Sequence, residues 1–177
     1  MATKLESDIQ MEQVIQIELP TRFPVGPVNV YLIQSDKLTL VDTSPNHEEN
    51  WKLLNLALQQ HGFSIQDIEQ VVLTHHHVDH VGLLNRILEA NPVPVYGHPN
   101  CRPWLRQNRE FYQWHQEFFA SFYQELGIPS ELWRKFLSFQ KMMEKVSSRA
   151  DLTGELREGE PIPGLPEWRV IETKGHA

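Results

Sequence analysis

A cluster of side chains that commonly bind metal ions lies near the middle of the chain, in residues 75–80 (HHHVDH). His75 and His77 are two positions apart, so in extended backbone their imidazoles point the same way and can bind one ion. Asp79 and His80 come where the chain is expected to turn into a helix, and they can face a second ion. Imidazole and carboxylate ligands suit zinc, and also iron or manganese. The segment therefore predicts a metal site.

Two simpler interpretations compete with the metal site. A run of histidines can be a solvated surface loop, and Thr74 or Asp79 could cap a helix that starts near His80 without any metal. The alternating spacing, a buried strand before the cluster and a helix after it together favour metal binding. His76 is a further candidate ligand of the same site.

The remaining histidines are not expected to bind metal. His47 and His61 lie at the start and end of a predicted helix, and His115 lies on an aromatic-rich helix. His98 follows a predicted strand in a loop, where a contact with substrate is a secondary hypothesis.

The elements that position the cluster follow from hydrophobic patterning. Strands are predicted over residues 14–19, 28–33 and 38–41, which together indicate a β-meander. A helix follows, with Asn46 as its N-cap, Glu49 completing a capping box and His61-Gly62 at its end.

A second set of elements surrounds the histidines directly. A short buried strand over 71–74 leads into them, and a helix is predicted over 81–90. Residues 93–96 form a further strand, placed at a sheet edge because Pro94 cannot donate a hydrogen bond. A last strand over 168–172 leads to the end of the chain. The pattern predicts an α+β fold.

Residues 101–150 differ in composition, being helical in pattern and crowded with aromatic side chains. Gly127-Ile128-Pro129-Ser130 is expected to divide this segment into two helices. About half of the aromatic residues are expected to form a core between these helices. The others are interpreted as a lid over the metal site or as a surface for self-association.

Composition limits the partners and the compartment. The net charge of -7 provides no general attraction to nucleic acid or to anionic membranes, so neither is expected as a partner. Cys101 is the single cysteine, which excludes an internal disulfide and fits a reducing compartment. With no apolar leader at the start, we expect a cytoplasmic protein that acts on a small molecule.

Three segments carry a resemblance to a known family. Residues 74–82 (THHHVDHVG) resemble the T-H-x-H-x-D-H-x-G signature of the metallo-β-lactamase superfamily. Residues 40–43 (LVDT) are similar to its strand-Asp-Thr segment, and residues 173–176 (TKGH) to its later T-P-G-H motif, with Lys174 in place of proline. Within the superfamily, the glyoxalase-II-like hydrolase group looks most similar.

The resemblance implies a fold and a division of the chain. The expected architecture is an αββα sandwich, of which this sequence would hold the first half together with a helical insert. Residues 1–100 would be the N-terminal half of the domain, 101–150 the insert, and 151–177 the strands that return to the Gly-His motif. The family pattern continues with a bridging aspartate and a further histidine, so the chain would be an N-terminal portion whose sheet has an uncovered apolar face.

The resemblance also implies a role for each matching residue. His75, His77 and His176 would bind a first zinc ion, and Asp79 and His80 a second, with iron or manganese as alternatives. Asp79 would also orient the attacking hydroxide, and Asp42 would be a buried carboxylate that steadies the ligands.

The implied reaction is hydrolysis, by metal-activated water, of an ester, thioester, lactone or related substrate. Three alternatives stay open: a nuclease of the same fold, iron-dependent oxygen or sulfur chemistry, and a metal-binding fragment without catalysis. Because the site residues specify the reaction and the pocket specifies the substrate, the sequence does not identify the substrate.

Overall fold

The computed structural model describes residues 12–24, 26–147 and 149–177. Residues 1–11, where the sequence shows no apolar leader, lie outside the described residues. Six strands form one mixed sheet in the order β1-β2-β3-β4-β5-β6. These strands are β1 (Gln13–Leu19), β2 (Val28–Gln34), β3 (Leu38–Val41), β4 (Gln70–Leu73), β5 (Val95–Gly97) and β6 (Gly154–Glu155). The predicted strands at 14–19, 28–33, 38–41 and 71–74 are therefore confirmed within a residue.

The sheet changes direction in its middle. β1, β2 and β3 are antiparallel neighbours and form the predicted meander, whereas β3, β4, β5 and β6 are parallel. Because side chains alternate along a strand, one face carries Leu32, Leu40 and Val71, which are completely buried. The carboxyl ends of β3 and β4 lie side by side, and this brings the segments that follow them together.

The helices α1 (Glu48–Gln60), α2 (Val78–Val81) and α3 (Leu84–Ala90) follow β3 and β4. Leu54 and Leu58 of α1 are fully buried in the same apolar cluster as Leu40 and Val71. The prediction of Asn46 as N-cap was wrong: the cap position is His47, without a side-chain hydrogen bond to the helix. The predicted end of α1 is confirmed, with His61 as C-cap and Gly62 in the left-handed region (φ 82°).

The single helix predicted over 81–90 is in fact two. α2 begins earlier, at Val78, and a turn at Gly82 and Leu83 separates it from α3. Gly82 is required there because a Cβ atom would lie only 2.6 Å from both the Asn46 nitrogen and the Ser44 oxygen. The backbone of the loop after β3 thus packs directly against the turn after α2.

The placement of the fifth strand at an edge was also wrong. β5 pairs with β4 on one side and with the two-residue strand β6 on the other. Pro94 is tolerated because it precedes the paired residues, where its missing N–H is not needed. Its carbonyl still accepts a hydrogen bond from the Val71 nitrogen, at 2.9 Å.

A hairpin of β7 (Pro161–Ile162) and β8 (Leu165–Arg169) lies beside the sheet. The last strand therefore comes earlier than the predicted 168–172. Gln70 and Thr39, on the face opposite Leu40, are fully buried, and Gln70 donates a hydrogen bond to the Pro163 carbonyl at 2.5 Å. The hairpin thus covers part of the face that was expected to be uncovered, although Val14 remains 49% exposed.

Three helices, rather than the predicted two, occupy the described part of the aromatic-rich segment: α4 (Cys101–Leu105), α5 (Arg109–Glu125) and α6 (Ser130–Val146). The break between α5 and α6 falls at the predicted Gly-Ile-Pro-Ser sequence. The expectation of an aromatic core was wrong, because α5 contains no fully buried residue. Within the described parts of the chain, no helix has both the length and the apolar character needed to cross a membrane.

Candidate metal centre

Asp42 lies at the junction between the sheet and the histidine cluster, directly after β3. Its side chain is buried, and its backbone nitrogen donates to the Val72 carbonyl at 2.8 Å, which continues the pairing of β3 with β4. The Thr74 nitrogen and hydroxyl donate to the two carboxylate oxygens of Asp42, at 2.8 and 2.6 Å. Asp42 has a φ of 60°, a left-handed conformation that aspartate tolerates better than most residues. These bonds hold the ends of the two parallel strands together.

Both the ring and the backbone of His80 form hydrogen bonds with the segment after β3. Its Nδ1 lies 2.8 Å from Oδ2 of Asp42, and its backbone carbonyl accepts hydrogen bonds from the nitrogen and the hydroxyl of Thr43, at 2.8 and 2.9 Å. A proton shared with Asp42 at Nδ1 leaves Nε2 as the free ligand atom. That atom lies 3.7 Å from Oδ2 of Asp79.

The carboxylates around His80 also control its charge. Burial tends to lower its pKa, but the hydrogen bond and charge of Asp42, together with the charge of Asp79, outweigh this, so the pKa is raised. The raised pKa means that the second proton, at Nε2, is stabilised. A metal cation at Nε2 would replace this proton, because a histidine ligand must be deprotonated at the binding atom. The environment of His80 therefore favours positive charge at this position.

Three histidines converge although one of them comes from the far end of the chain. His75, His77 and His176 each present a ring nitrogen within 4.8 Å of the other two. The ring centroids are 4.7 Å apart for His75 and His77, 5.0 Å for His75 and His176, and 4.7 Å for His77 and His176. Gly175, with a φ of 121°, supplies the backbone turn that directs His176 back to the cluster.

The hydrogen bonding of His75 provides a test of whether this group fits a metal ion. The Thr74 hydroxyl donates its proton to Asp42, so the 2.9 Å contact between His75 Nδ1 and the Thr74 oxygen has Nδ1 as the donor. Nε2 of His75 then carries a lone pair, yet it is buried and has no hydrogen-bond partner among the described residues. A buried acceptor without a donor is costly, and a cation would relieve the cost. The donor set therefore fits a metal ion.

The protonation of the cluster is suited to metal binding. Burial, followed by the effects of the neighbouring His80 and His77, lowers the pKa of His75 to about 4. Burial also lowers the pKa of His77, followed by the effect of His176. Both imidazoles are thus neutral near pH 7, as ligands must be.

A second group that could hold an ion contains Asp42, His75 and His80. Asp42 is the weaker ligand in this group, since its two oxygens already accept three hydrogen bonds from Thr74 and His80. Its geometry suits the orientation of His80 rather than direct contact with an ion.

His76 points away from both groups. Its ring stacks on the indole of Trp104, with centroids 4.4 Å apart and an angle of 6° between the planes. Burial lowers its pKa to about 3, followed by the effect of the neighbouring histidines. His76 therefore connects the histidine segment to α4, a contact that sequence spacing does not reveal.

His98 contacts the segment that leads to His176. Its Nε2 lies 3.2 Å from Oε1 of Glu172, and its Nδ1 accepts a hydrogen bond from the Asn100 nitrogen at 3.2 Å. Nδ1 is therefore unprotonated, and Nε2 donates to Glu172. The alternative that His98 contacts substrate finds no support, because His98 does not line the cavity beside the histidine cluster.

A cavity of about 860 Å³ opens beside the histidine cluster. His77 and His176 are among the residues that line it, and Trp104 and the helices α5 and α6 supply most of its wall. Its size is that of a pocket for a small organic molecule. His115, for which no metal-binding role was expected, lines this cavity and contacts Trp104, with ring centroids 4.8 Å apart.

Sequence comparison relates the chain to proteins described as probable metallo-hydrolases. Residues 23–177 match the family described as the metallo-beta-lactamase superfamily. The probable metallo-hydrolase YqjP of Bacillus subtilis is 41% identical over 169 residues, covering 94% of this chain and 51% of that protein. The probable metallo-hydrolase YflN of the same organism is 29% identical over 152 residues, covering 84% and 52%. The chain thus spans about half the length of these curated relatives.

Structural comparison leads to the same fold. The metallo-beta-lactamase family protein TTHA1429 from Thermus thermophilus has a TM-score of 0.60 and 25% identity, covering 86% of this chain and 48% of that one. The metallo-beta-lactamase GOB-18 from Elizabethkingia meningoseptica has a TM-score of 0.55, covering 85% and 46%, and at 18% identity this likeness concerns the fold alone. The α+β fold predicted from the sequence is confirmed.

Proposed function

Because the chain belongs to the metallo-β-lactamase superfamily, we propose that it is the part of a metal-dependent hydrolase that binds the metal and hydrolyses an ester, thioester, lactone or related substrate. One observation carries this proposal. The ring nitrogens of His75, His77 and His176 converge, and the Nε2 atom of His75 is buried without a hydrogen-bond partner among the described residues. The relatives named as probable metallo-hydrolases support it.

In this proposal the residues have distinct roles. His75, His77 and His176 would hold one ion, and His80 with Asp79 a second. Zinc suits these ligands, with iron or manganese as alternatives. Divalent ions bound there would supply Lewis acidity and lower the pKa of water to near neutrality.

The side chains of the protein would do the remaining work. The Asp79 carboxylate, 18% exposed, lies 3.7 Å from Nε2 of His80 and would orient the attacking water and accept its proton. Asp42 would keep the His80 ring in one orientation and one tautomer through the bond at Nδ1. Because His77 and His176 line the cavity, they would place the metal next to the bound substrate.

The residues that line the cavity indicate the kind of substrate and help to decide between the hydrolase and the nuclease alternative. No Asp, Glu, Lys or Arg side chain lines it in the part of the chain that the structure describes. Proteins that bind nucleic acid neutralise its phosphates with Lys and Arg side chains, and the net charge of this chain is -7. We therefore favour a neutral small-molecule substrate over nucleic acid. The glyoxalase-II-like grouping and the cytoplasmic location belong to the same proposal.

Metal content provides the first test. The chain is dialysed against zinc and then against metal-free buffer, and bound metal is measured by mass spectrometry for wild type and for His75→Ala and His176→Ala. We expect both variants to lose metal and His61→Ala, a change at an exposed helix end, to retain it. Retention of metal by both site variants would contradict the proposed ligands.

Activity provides the second test. The zinc-loaded chain and a version extended to the length of its relatives are assayed against esters, thioesters, lactones and phosphodiesters. We expect hydrolysis of one of the first three classes and its loss in Asp79→Asn. Turnover of phosphodiesters alone would support the nuclease. A protein that binds metal but hydrolyses none of these substrates would support the non-catalytic alternative.

A further inference from the structure

The cavity extends away from the histidines along one stripe of α5. Phe111, His115, Phe119 and Tyr123 follow each other at intervals of four residues and all line the cavity, so they share one side of the helix. Twelve residues of helix correspond to about 18 Å of length. The stripe is therefore long and narrow rather than compact.

Contacts between aromatic rings show which end of the stripe is near the histidine cluster. Trp104 contacts both His76, with centroids 4.4 Å apart, and Phe111, at 5.0 Å, so the Phe111 end is the one near the histidine cluster. At the other end Tyr123 contacts Phe136 of α6, with centroids 6.0 Å apart. The two helices thus line a groove that begins beside the proposed metal site and reaches Tyr123 and Phe136.

The surface of the groove is apolar and still accessible. Phe136, Phe139 and Met143 of α6 line the side opposite the α5 stripe. Phe136 and Phe139 are 56% and 53% exposed, and burying such aromatic surface under a ligand is favourable. Burial lowers the pKa of His115, so this side chain adds no charge to the groove near neutral pH.

We propose that this acyl groove, formed by α5 and α6, binds an unbranched apolar chain of the substrate, so that the hydrolase acts on esters or thioesters of medium- and long-chain acids. This inference rests on the proposed function, because the hydrolase assignment defines which bond is cleaved. His77 and His176 line the same cavity, and the carbonyl group would sit beside them at the Phe111 end of the groove. A sugar or nucleotide would instead require several hydrogen-bonding or charged groups in the wall.

Binding without turnover tests the groove separately from catalysis. Decanoate and butyrate are titrated into the metal-free chain by calorimetry, with the intrinsic tryptophan fluorescence followed in parallel. We expect decanoate to bind far more tightly, by roughly two- to fourfold for each additional methylene that enters the groove. Equal affinity for the two acids would overturn the acyl groove.

A matched pair of variants locates the binding surface. Phe119 lines the groove, whereas its neighbour Phe118 is 49% exposed and does not line it. We expect Phe119→Ser to weaken decanoate binding at least tenfold and Phe118→Ser to leave it nearly unchanged. Equal effects of the two changes would contradict the location. Phe139→Ser, on the opposite wall, provides a second variant if Phe119→Ser does not fold.

Hydrolysis then separates the two proposals. With zinc-loaded protein, kcat/KM is measured for p-nitrophenyl esters from acetate to decanoate, and we expect it to rise with chain length. Hydrolysis without this dependence would leave the proposed function intact and overturn the groove. Decanoate binding without any hydrolysis would leave the groove intact and contradict the hydrolase. A dimer that is dissociated by Phe119→Ser, without decanoate binding, would identify the groove as a self-association surface instead.

Discussion

Oδ2 of Asp42 lies 2.8 Å from Nδ1 of His80, although the two residues are 38 positions apart in the chain. The same carboxylate accepts both hydrogen bonds from Thr74, immediately before the histidine segment. One buried side chain therefore holds the end of β3, the end of β4 and the short helix α2 in a fixed relation. Metal affinity should depend on this residue even though it is not a proposed ligand.

Replacing Asp42 with asparagine tests this dependence. Asparagine tolerates the left-handed backbone at this position but removes the negative charge that orients and polarises His80. We expect zinc affinity, measured by competition with a chelator, to fall by roughly 10- to 100-fold. Asp36→Asn, at the exposed turn between β2 and β3, is the matched control. An unchanged affinity in Asp42→Asn would show that His80 is positioned by other contacts.

His76 is predicted to be dispensable for metal binding. Phenylalanine at this position can keep the stacking on Trp104 but cannot bind an ion. We therefore expect His76→Phe to bind as much zinc per chain as wild type, while His77→Phe binds less. Loss of zinc in His76→Phe, with an unchanged circular dichroism spectrum, would place His76 among the ligands.

The contact of His98 with Glu172 should influence His176 indirectly. Glu172 lies four residues before His176, and the 3.2 Å contact holds this segment against the end of β5. Removing a single hydrogen bond of this kind costs on the order of 1 kcal/mol. We expect His98→Ala to weaken zinc binding about fivefold with little change in thermal stability. If His98→Gln restored none of this affinity, hydrogen bonding to Glu172 would not be the cause.

Gly82 should tolerate no side chain. A methyl group there would meet the backbone of Ser44, Asn46 and Val78 at 2.6–2.8 Å, and backbone atoms cannot move aside as flexible side chains do. Overpacking of this kind costs about 1–3 kcal/mol, and we expect Gly82→Ala to reach the upper part of this range. Urea denaturation measures the loss, with Glu89→Ala on exposed helix surface as the control. A change below about 0.5 kcal/mol would mean that the loop after β3 shifts freely.

Cys101 should be chemically inert in the folded protein. Its side chain is buried, and burial, followed by the negative charge of Asp42, raises the pKa of the thiol to about 11. Below that pH the reactive thiolate is scarce. We expect alkylation by iodoacetamide at pH 8 to be at least 100-fold slower in the native protein than in urea. Comparable rates in the two conditions would show that α4 opens readily.

The sequence predicted the elements around the site because their signals are local. Alternating and β-branched residues located the strands up to residue 73, and the Gly-Ile-Pro-Ser break located the boundary between α5 and α6. The predictions failed where a long-range contact decides the outcome. Asparagine is favoured at N-cap positions, so Asn46 was predicted as the N-cap of α1. Its backbone instead packs against Gly82, and α1 begins one residue later than this cap would require. Pro94 predicts that β5 lies at the edge of the sheet. β6, which follows α4, α5 and α6 in the chain, pairs with β5 and takes the edge position instead.

By itself the sequence determined the types and the local spacing of the proposed ligands, because residues 75–80 are contiguous and the helix that follows them is formed by contacts between residues near in sequence. The tertiary structure decided three other matters. It brought His176 within 4.8 Å of His75 and His77, turned His76 onto Trp104, and placed an apolar groove beside the cluster. These relationships join segments that are far apart in the chain. The parallel pairing of β3, β4, β5 and β6 aligns the ends of separate strands in the same way, and no local pattern encodes it.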